Sequence, residues 1–251
     1  MSLARAGRNS SPATNPRILL ALAAVAIAFA AADTYVVVLA LPDMMSATGL
    51  DIDQLQKAAP ILSGFLLGYV GILPLIGRIS DLRGRIPVLL GSMVVFVIGS
   101  IITAAAYNLD SMVIGRFIQG MGGGGLIPPT LALVADMWPP EKRGLPLGVI
   151  GAVQELGSVL GPLYGALVLA FGDWRDIFWL NAGIGLILAA AMSQARHDAP
   201  DMADSDMGTL GRWDWSGVGL FLLSLVGVTV IMLEPTRLIT GVTSGLAFIP
   251  V

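Results

Sequence analysis

Asp33, Arg116 and Glu155 are ionisable residues that each stand alone in a long apolar stretch of this sequence. A charged side chain at the centre of a bilayer costs about 2.5–3.5 kcal/mol on insertion scales, so such residues are usually paired, protonated or functional. Asp33 and Arg116 lie about 8 and about 5 residues from the same end of their predicted helices, roughly 12 and 8 Å deep, which allows an ion pair. Glu155 lies about 11 residues from the opposite end, near the middle of a hydrocarbon core about 30 Å thick.

These three residues point to proton chemistry. A carboxyl group that is withdrawn from water loses its preference for the charged form, so it can take up and release a proton. We predict that Asp33 and Glu155 take up and release protons and that Arg116 balances their charge. Three alternatives stay open: a fixed structural pair of Asp33 with Arg116, a permanently neutral Glu155 bonded to a neighbouring helix, and an Arg116 that only anchors helices.

The composition predicts a membrane protein. Of the 251 residues, 55% are hydrophobic and 12% are charged, and the mean hydropathy is +0.82, whereas soluble domains carry about 25% charged residues. The net charge of -3 argues against a nucleic-acid-binding protein. With no cysteine and one histidine, thiolate and multi-histidine metal sites are excluded. We therefore expect no metal, no cofactor and no enzyme activity, because the apolar stretches hold no histidine, cysteine or cluster of carboxylates.

Seven apolar stretches are long enough to cross a bilayer, which takes roughly 20 residues. They cover residues 18–41, 58–76, 86–107, 111–135, 144–172, 177–195 and 215–233. The aspartate-rich residues 196–214 predict a cytoplasmic linker between a six-span domain, residues 1–195, and the start of a central helical insertion, residues 215–251. The final apolar stretch, residues 238–251, is too short to span the bilayer, so we expect a truncated sequence.

The loops differ in basic charge. One set of alternate loops carries roughly ten arginines and lysines and the other set roughly three, and positively charged loops stay in the cytoplasm. This bias predicts a multi-pass protein of the inner (plasma) membrane with a cytoplasmic N-terminus.

Glycines mark two further features. Gly157, Gly161 and Gly165 recur every four residues, so they share one helix face and allow close helix contact. Pro162 removes a backbone donor beside them, and both static packing and a moving hinge stay open. The run from Gly120 to Gly125 matches a dinucleotide-binding pattern, but it follows an apolar helix rather than a strand. We interpret it as close helix contact, followed by a flexible point at two prolines.

A short loop between the second and third stretches carries Gly77, Asp81, Gly84 and Arg85. Glycine permits the left-handed backbone that such a tight connection needs. A plain basic turn is one interpretation, but the loop resembles the signature loop of the major facilitator superfamily, Gly-x-x-x-Asp-x-x-Gly-Arg. Arg116 with the following Gln and Gly resembles the intramembrane arginine motif of that family.

The resemblance extends along residues 17–234. The stretch from Gly157 to Gly165 is similar to the Gly-Pro motif of the drug-exporting antiporters, and the stretch from Asp33 to Pro42 is similar to the 14-span drug and lipid exporter branch. Within that branch the chain looks most like the mycobacterial exporters that move triacylglycerides.

The resemblance implies an all-α membrane fold: a six-helix half bundle plus a seventh helix. It implies proton-coupled export, by antiport and alternating access, of amphipathic or lipidic compounds, driven by the proton gradient. Asp33 and Glu155 would then couple proton movement to substrate movement. Asp81, Arg85 and Asp136 would form a cytoplasmic gate with the loop glycines Gly77 and Gly84. The partners would be membrane lipid, a lipidic substrate and a missing C-terminal half, towards which Asp33, Arg116 and Glu155 would face. A multidrug exporter and a non-transporting membrane scaffold are the alternatives.

Overall fold

The computed structural model describes residues 16–197 and, further along the chain, residues 217, 219–221, 223–225 and 227. The chain divides into two compact units, residues 1–208 and 209–251, which are described separately. Throughout the described ranges every regular element is helical and no strand occurs. This confirms the predicted all-α fold.

Seven α-helices lie in the described part of the first unit. They are α1 (Pro16–Ala47), α2 (Leu55–Arg83), α3 (Arg85–Ala104), α4 (Leu109–Gly124), α5 (Ile127–Met137), α6 (Gly144–Phe171) and α7 (Trp174–His197). Six helical spans are long and apolar enough to cross a membrane, with α4 and α5 together forming the fourth, Leu109–Met137. Among the described residues, the first six of the seven predicted spans are therefore confirmed as helices of sufficient length and hydropathy, although α1 continues to Ala47 instead of ending near residue 41.

The fourth span is broken in the middle. The prediction was one helix over residues 111–135, but α4 ends at Gly124 and α5 begins at Ile127. Pro128 and Pro129 follow directly and have no N–H group, so the carbonyl groups one turn earlier lose their helical partners. The two prolines thus explain the break, and the flexibility inferred at this point stays a prediction.

Local hydrogen bonds define several helix ends. Asn108 and Ser111 form a reciprocal capping box at the start of α4, with the Ser111 N–H donating to the Asn108 side chain at 2.8 Å. Arg143 donates to the carbonyl groups of Ala135 and Trp138 at 2.7 and 2.9 Å, which satisfies the C-terminal end of α5. The two ends of the bundle are named after residues that lie there: the Asn108 end and the Arg85 end.

Glycines bring α4 into backbone contact with its neighbours. A Cβ atom at Gly120 or Gly124 would overlap the backbone of α2 at Phe65 or Tyr69, and one at Gly122 would overlap α3 at Phe96. The interpretation of this run as close helix contact is therefore correct.

Two apolar clusters fill the interior of the first unit. One lies towards the Arg85 end and includes Leu89 and Phe96. The other lies towards the Asn108 end and includes Met44 and Ile177. A group of buried polar side chains separates the two clusters and forms the candidate site.

The second unit contains the seventh predicted span. Its described residues, 217, 219–221, 223–225 and 227, are all helical. The predicted linker begins inside α7, which ends at His197. The rest of the linker and residues 228–251 lie outside the described residues.

Candidate functional site

Asp33 of α1 and Arg116 of α4 form a buried ion pair. The guanidinium Nη1 donates to Oδ2 of the carboxylate at 2.5 Å. Asp33 is 1% exposed and Arg116 is 0% exposed. The contact inferred from their matched depths is therefore present, although their functional roles stay predictions.

Amide side chains complete the hydrogen bonding of the carboxylate. Gln119 donates from Nε2 to Oδ1 of Asp33 at 3.1 Å, and Asn181 of α7 donates from Nδ2 to the same oxygen. Gln119 also accepts from Arg116 at 2.7 Å through Oε1 and donates to Ser100 of α3 at 3.0 Å. One buried network thus joins α1, α3, α4 and α7, and Asp33 faces three donors.

The guanidinium group of Arg116 lies between aromatic rings. Its central carbon is 4.3 Å from the ring centroid of Phe65 on α2 and 5.7 Å from that of Phe178 on α7. Desolvated cation–π contacts of this kind contribute about 2 kcal/mol, which offsets part of the cost of burying the charge. Its Nε atom has no hydrogen-bond partner among the described residues, so Arg116 is incompletely satisfied in this arrangement.

Tyr164 connects α6 to this network. Its hydroxyl group donates to Oδ1 of Asn181 at 3.3 Å and lies 3.5 Å from the carbonyl oxygen of Ile177. Sequence reasoning missed Tyr164, Asn181 and Ser100 as members of the site. A signal existed for Asn181, because an amide within an apolar span needs a buried partner.

Glu155 does not belong to this network. It lies on the exposed side of α6 and makes no hydrogen bond or ion pair with any described residue. Gly157 packs at Ala28 and Gly161 packs at Ala32, so Asp33 is level with residue 162 and Glu155 lies about seven residues, roughly 10 Å, from that level. The expectation that Asp33, Arg116 and Glu155 share one face is therefore wrong: the first two lie inside the bundle, and Glu155 lies outside it.

The glycine face of α6 packs against α1. A Cβ atom at Gly157 or Gly161 would overlap the backbone of Ala28 or Ala32, and one at Gly165 would come within 3.1 Å of Val36. This supports the packing interpretation of the glycines. Pro162 is exposed within α6, which continues as one helix from Gly144 to Phe171. Its hinge role stays a prediction.

A second charged group lies at the Arg85 end. Arg85, in the first turn of α3, donates to Asp81 of α2 at 2.5 Å and to Asp136 of α5 at 3.1 Å. The side chains are 24%, 50% and 43% exposed, respectively. Exposed pairs contribute about 0.2–1 kcal/mol each, so these contacts join α2, α3 and α5 with little energy.

The loop glycines differ in their importance. Gly84 has φ +86° and ψ 157°, a conformation that is nearly restricted to glycine. A Cβ atom at Gly77 would meet Pro128 at 3.9 Å, an ordinary van der Waals distance. The tight connection therefore requires Gly84 but not Gly77 in this conformation.

The sequence model of the Major Facilitator Superfamily matches residues 23–206, which include both charged groups. The chain belongs to the Major Facilitator Superfamily. This confirms the resemblance inferred from the motifs, and a transporter family accords with the expectation of a non-enzyme.

Curated relatives of this superfamily member include transporters of mycobacteria. The chain is 41% identical over 218 residues to a triacylglyceride transporter of Mycolicibacterium smegmatis, covering 86% of this chain and 38% of the relative. It is 44% identical over 202 residues to a triacylglyceride transporter of Mycobacteroides abscessus, covering 79% and 39%. The chain thus spans about two fifths of the length of these relatives.

Solved structures of the superfamily show the same fold. The human organic anion transporter MFSD10 (TETRAN) matches with a TM-score of 0.56 and 21% identity, covering 74% of this chain and 48% of that protein. A bacterial homologue of the human lysosomal transporter Spinster, solved inward-facing and unoccupied, matches with a TM-score of 0.60 and 14% identity, covering 81% and 47%.

Proposed function

We propose that this superfamily member is part of a proton-coupled antiporter that exports lipidic compounds by alternating access. The observation that carries the proposal is the buried pair of Asp33 and Arg116 inside a network of four helices. Charged residues at such depth are costly and typical of proton and substrate pathways.

Protonation of Asp33 would disturb this network. Three donors face its carboxylate, an arrangement that suits the charged form. If the carboxylate were neutralised without any rearrangement, Arg116 would be left as an uncompensated buried charge. Breaking a buried pair in this way costs about 3–5 kcal/mol. Proton uptake therefore has to be accompanied by movement of the helices that carry the partners, which is the coupling that an antiporter needs.

The exposed face of α6 would line the substrate cavity of the transporter. Leu156, Val159, Leu163 and Leu167 are all more than half exposed, and Glu155 lies on the same helix. We infer that a second, C-terminal half covers this face, in agreement with the greater length of the curated relatives. In that setting Glu155 becomes the second proton-binding group, at the boundary between the halves.

The charged group at the Arg85 end would act as the gate. Under the orientation given by the loop charges, the N-terminus and this end lie in the cytoplasm, and the membrane is the plasma membrane. Pairing of Arg85 with Asp81 and Asp136 keeps three helices together at that end. Loss of these pairs opens the path from the inner side.

The names of the relatives support the proposed substrate class. Those with 41–44% identity are named triacylglyceride transporters, so we propose a neutral lipid with long acyl chains. The proton gradient is the energy source, and no bound cofactor is involved.

The proposal is tested with a chimera in which this chain replaces the matching N-terminal part of the M. smegmatis relative. Vesicles carrying the chimera should move a fluorescent triacylglyceride analogue only under an imposed proton gradient. Asp33→Asn should abolish this flux without lowering the amount of inserted protein, because it keeps the shape and removes the titrating charge. Asp43→Asn, the same change at an exposed position of α1, is the matched control.

Two outcomes would overturn parts of the proposal. Flux that is independent of the gradient, or normal flux with Asp33→Asn, would exclude proton coupling through this residue. Gradient-driven flux in vesicles that hold the 251-residue chain alone would show that no second half is needed.

A further inference from the structure

Asn181 occupies a central position between Asp33 and α6. Its Nδ2 group donates to the Asp33 carboxylate, while its Oδ1 atom accepts from the Tyr164 hydroxyl group at 3.3 Å. Asn181 and Asp33 are 0% and 1% exposed, so their contact is shielded from water, whereas Tyr164 is partly buried. The amide therefore links the ionisable group on α1 to a hydroxyl group on α6.

The two ends of an amide have opposite hydrogen-bonding properties. The NH₂ group donates only and the carbonyl oxygen accepts only, whereas their shapes are nearly the same. A carboxylate accepts hydrogen bonds, and a protonated carboxyl group can also donate one. Protonation of Asp33 on the oxygen that faces Asn181 would thus favour the carbonyl end of the amide. Rotation of the Asn181 amide about its terminal torsion angle, which is broad and roughly two-fold, turns the carbonyl oxygen towards Asp33.

The Tyr164 hydroxyl group can form a hydrogen bond with either end of the Asn181 amide. A hydroxyl group donates to the amide carbonyl oxygen in the present arrangement and can accept from the NH₂ group after inversion. Among the described residues of α6, Tyr164 is the one whose side chain bonds to this network. If the direction of this hydrogen bond reverses, the side-chain contact that joins α6 to the network changes.

Gln119, the other amide at Asp33, lacks this freedom. Its Oε1 atom accepts from the Arg116 cation, and its Nε2 group donates both to Asp33 and to Ser100. Ser100 in turn donates to the carbonyl oxygen of Phe96 at 2.9 Å. Inversion of Gln119 would point its NH₂ group at a cation, so this amide keeps one orientation.

The remaining surroundings of Asp33 add few titratable groups. In the part of the chain that the structure describes, the titratable groups facing its carboxyl group are Arg116 of α4 and Tyr164 of α6. Asn181 of α7 bonds to the carboxylate directly, whereas Ser100 of α3 bonds to Gln119 and the ring of Phe65 on α2 lies against Arg116. Among the described residues, Asp33 is the carboxyl group bonded to Asn181. A reversal of the Asn181 amide would therefore report on the protonation of Asp33.

We propose that Asn181 is a positioning residue that reads the protonation state of Asp33 and, by inversion of its amide, transmits that state to Tyr164 on α6. The inference rests on the proposed function, because it assumes that Asp33 takes up a proton during transport. It adds the route by which the proton changes the contact between α6 and α7.

Infrared difference spectroscopy on the inserted chain tests this route directly. Acidification should produce the band of a protonated carboxyl group, assigned to Asp33 by its absence in Asp33→Asn. The phenol band of Tyr164, assigned by its absence in Tyr164→Phe, should shift in parallel. In Asn181→Leu the carboxyl band should remain and the Tyr164 shift should be lost. If the leucine variant does not insert into the membrane, Asn181→Ala takes its place with the same expected result.

The matched control is Ser158→Ala, which alters a different α6 hydroxyl group, one bonded to the Gln154 carbonyl oxygen at 3.3 Å. It should keep both bands. If the carboxyl band never appears, the proton role of Asp33 and this inference fail together. If that band appears but the Tyr164 shift is absent, or persists in the Asn181 variants, the inference is overturned while the proposed function stands.

Discussion

Arg85 donates a hydrogen bond from Nε to Oδ2 of Asp136 at 3.1 Å, and this contact ties the first turn of α3 to the last turn of α5. Asp81 accepts from the same guanidinium group at 2.5 Å, so a single side chain holds three helices at one end of the bundle.

Removal of the Asp81 charge should open this end. We expect Asp81→Asn to shift the population towards the inward-open state, because one charge-assisted pair is lost where the end closes. The chain has no cysteine of its own, so a Ser80→Cys probe reports on opening at this buried position. Its labelling should accelerate by up to about fivefold, since an exposed pair is worth up to about 1 kcal/mol. In Asp110→Asn, at the Asn108 end, the Cys probe should be labelled as fast as in the parent protein. A labelling rate in Asp81→Asn that equals that of the parent would refute the gate.

Gly84 should tolerate substitution poorly. Gly84→Ala forces a Cβ atom into a backbone conformation that costs about 1–3 kcal/mol for other residues. A lower thermal unfolding midpoint is expected. Gly77→Ala is the matched control, because its Cβ atom has room beside Pro128. Similar midpoints for the two variants would show that the conformation of Gly84 is not required.

The contact between α1 and α6 should depend on Gly157. In Gly157→Ala the new methyl group would meet the carbonyl oxygen of Ala28, and overpacking of this kind costs about 1–3 kcal/mol. Gly151→Ala, on the same helix, has open space around it and should be neutral or slightly stabilising. Thermal unfolding in detergent compares the two, and equal stability would argue against close packing at Gly157.

Glu155 should matter for transport and not for folding. We expect Glu155→Gln in the chimera to lose gradient-driven flux while keeping normal abundance, because the residue is exposed and unpartnered within the described bundle. Glu141→Gln, which alters another exposed carboxylate, should transport normally. Wild-type flux in Glu155→Gln would remove the residue from the mechanism.

Most of the fold could be predicted from the sequence, because apolar length alone defines a membrane span. The break between α4 and α5 was less predictable in its position, since proline indicates a weak point without stating where the helix ends. The pairing of Asp33 with Arg116 was predictable because both residues are charged, isolated and equally deep.

The surroundings of that pair were not predictable in the same way. Depth along a helix follows from sequence spacing, whereas direction around the helix depends on which neighbours pack against it. Glu155 lies about 200° around α6 from Gly157, so the buried glycine face already implied that Glu155 points away from α1. Asn181 and Tyr164 carry no charge, and their contact requires α6 and α7 to lie side by side.

The interruption at residues 125 and 126 has a mechanical consequence. Arg116 and Asp136 belong to the same membrane crossing, but no continuous ladder of backbone hydrogen bonds joins their helices. If the proposed gate opens by movement of α5, the two prolines are the point at which the crossing can bend before that movement reaches Arg116. A bend there would let the Arg85 end open while the ion pair of Asp33 keeps its geometry, so the two proposed events would occur in sequence within one crossing.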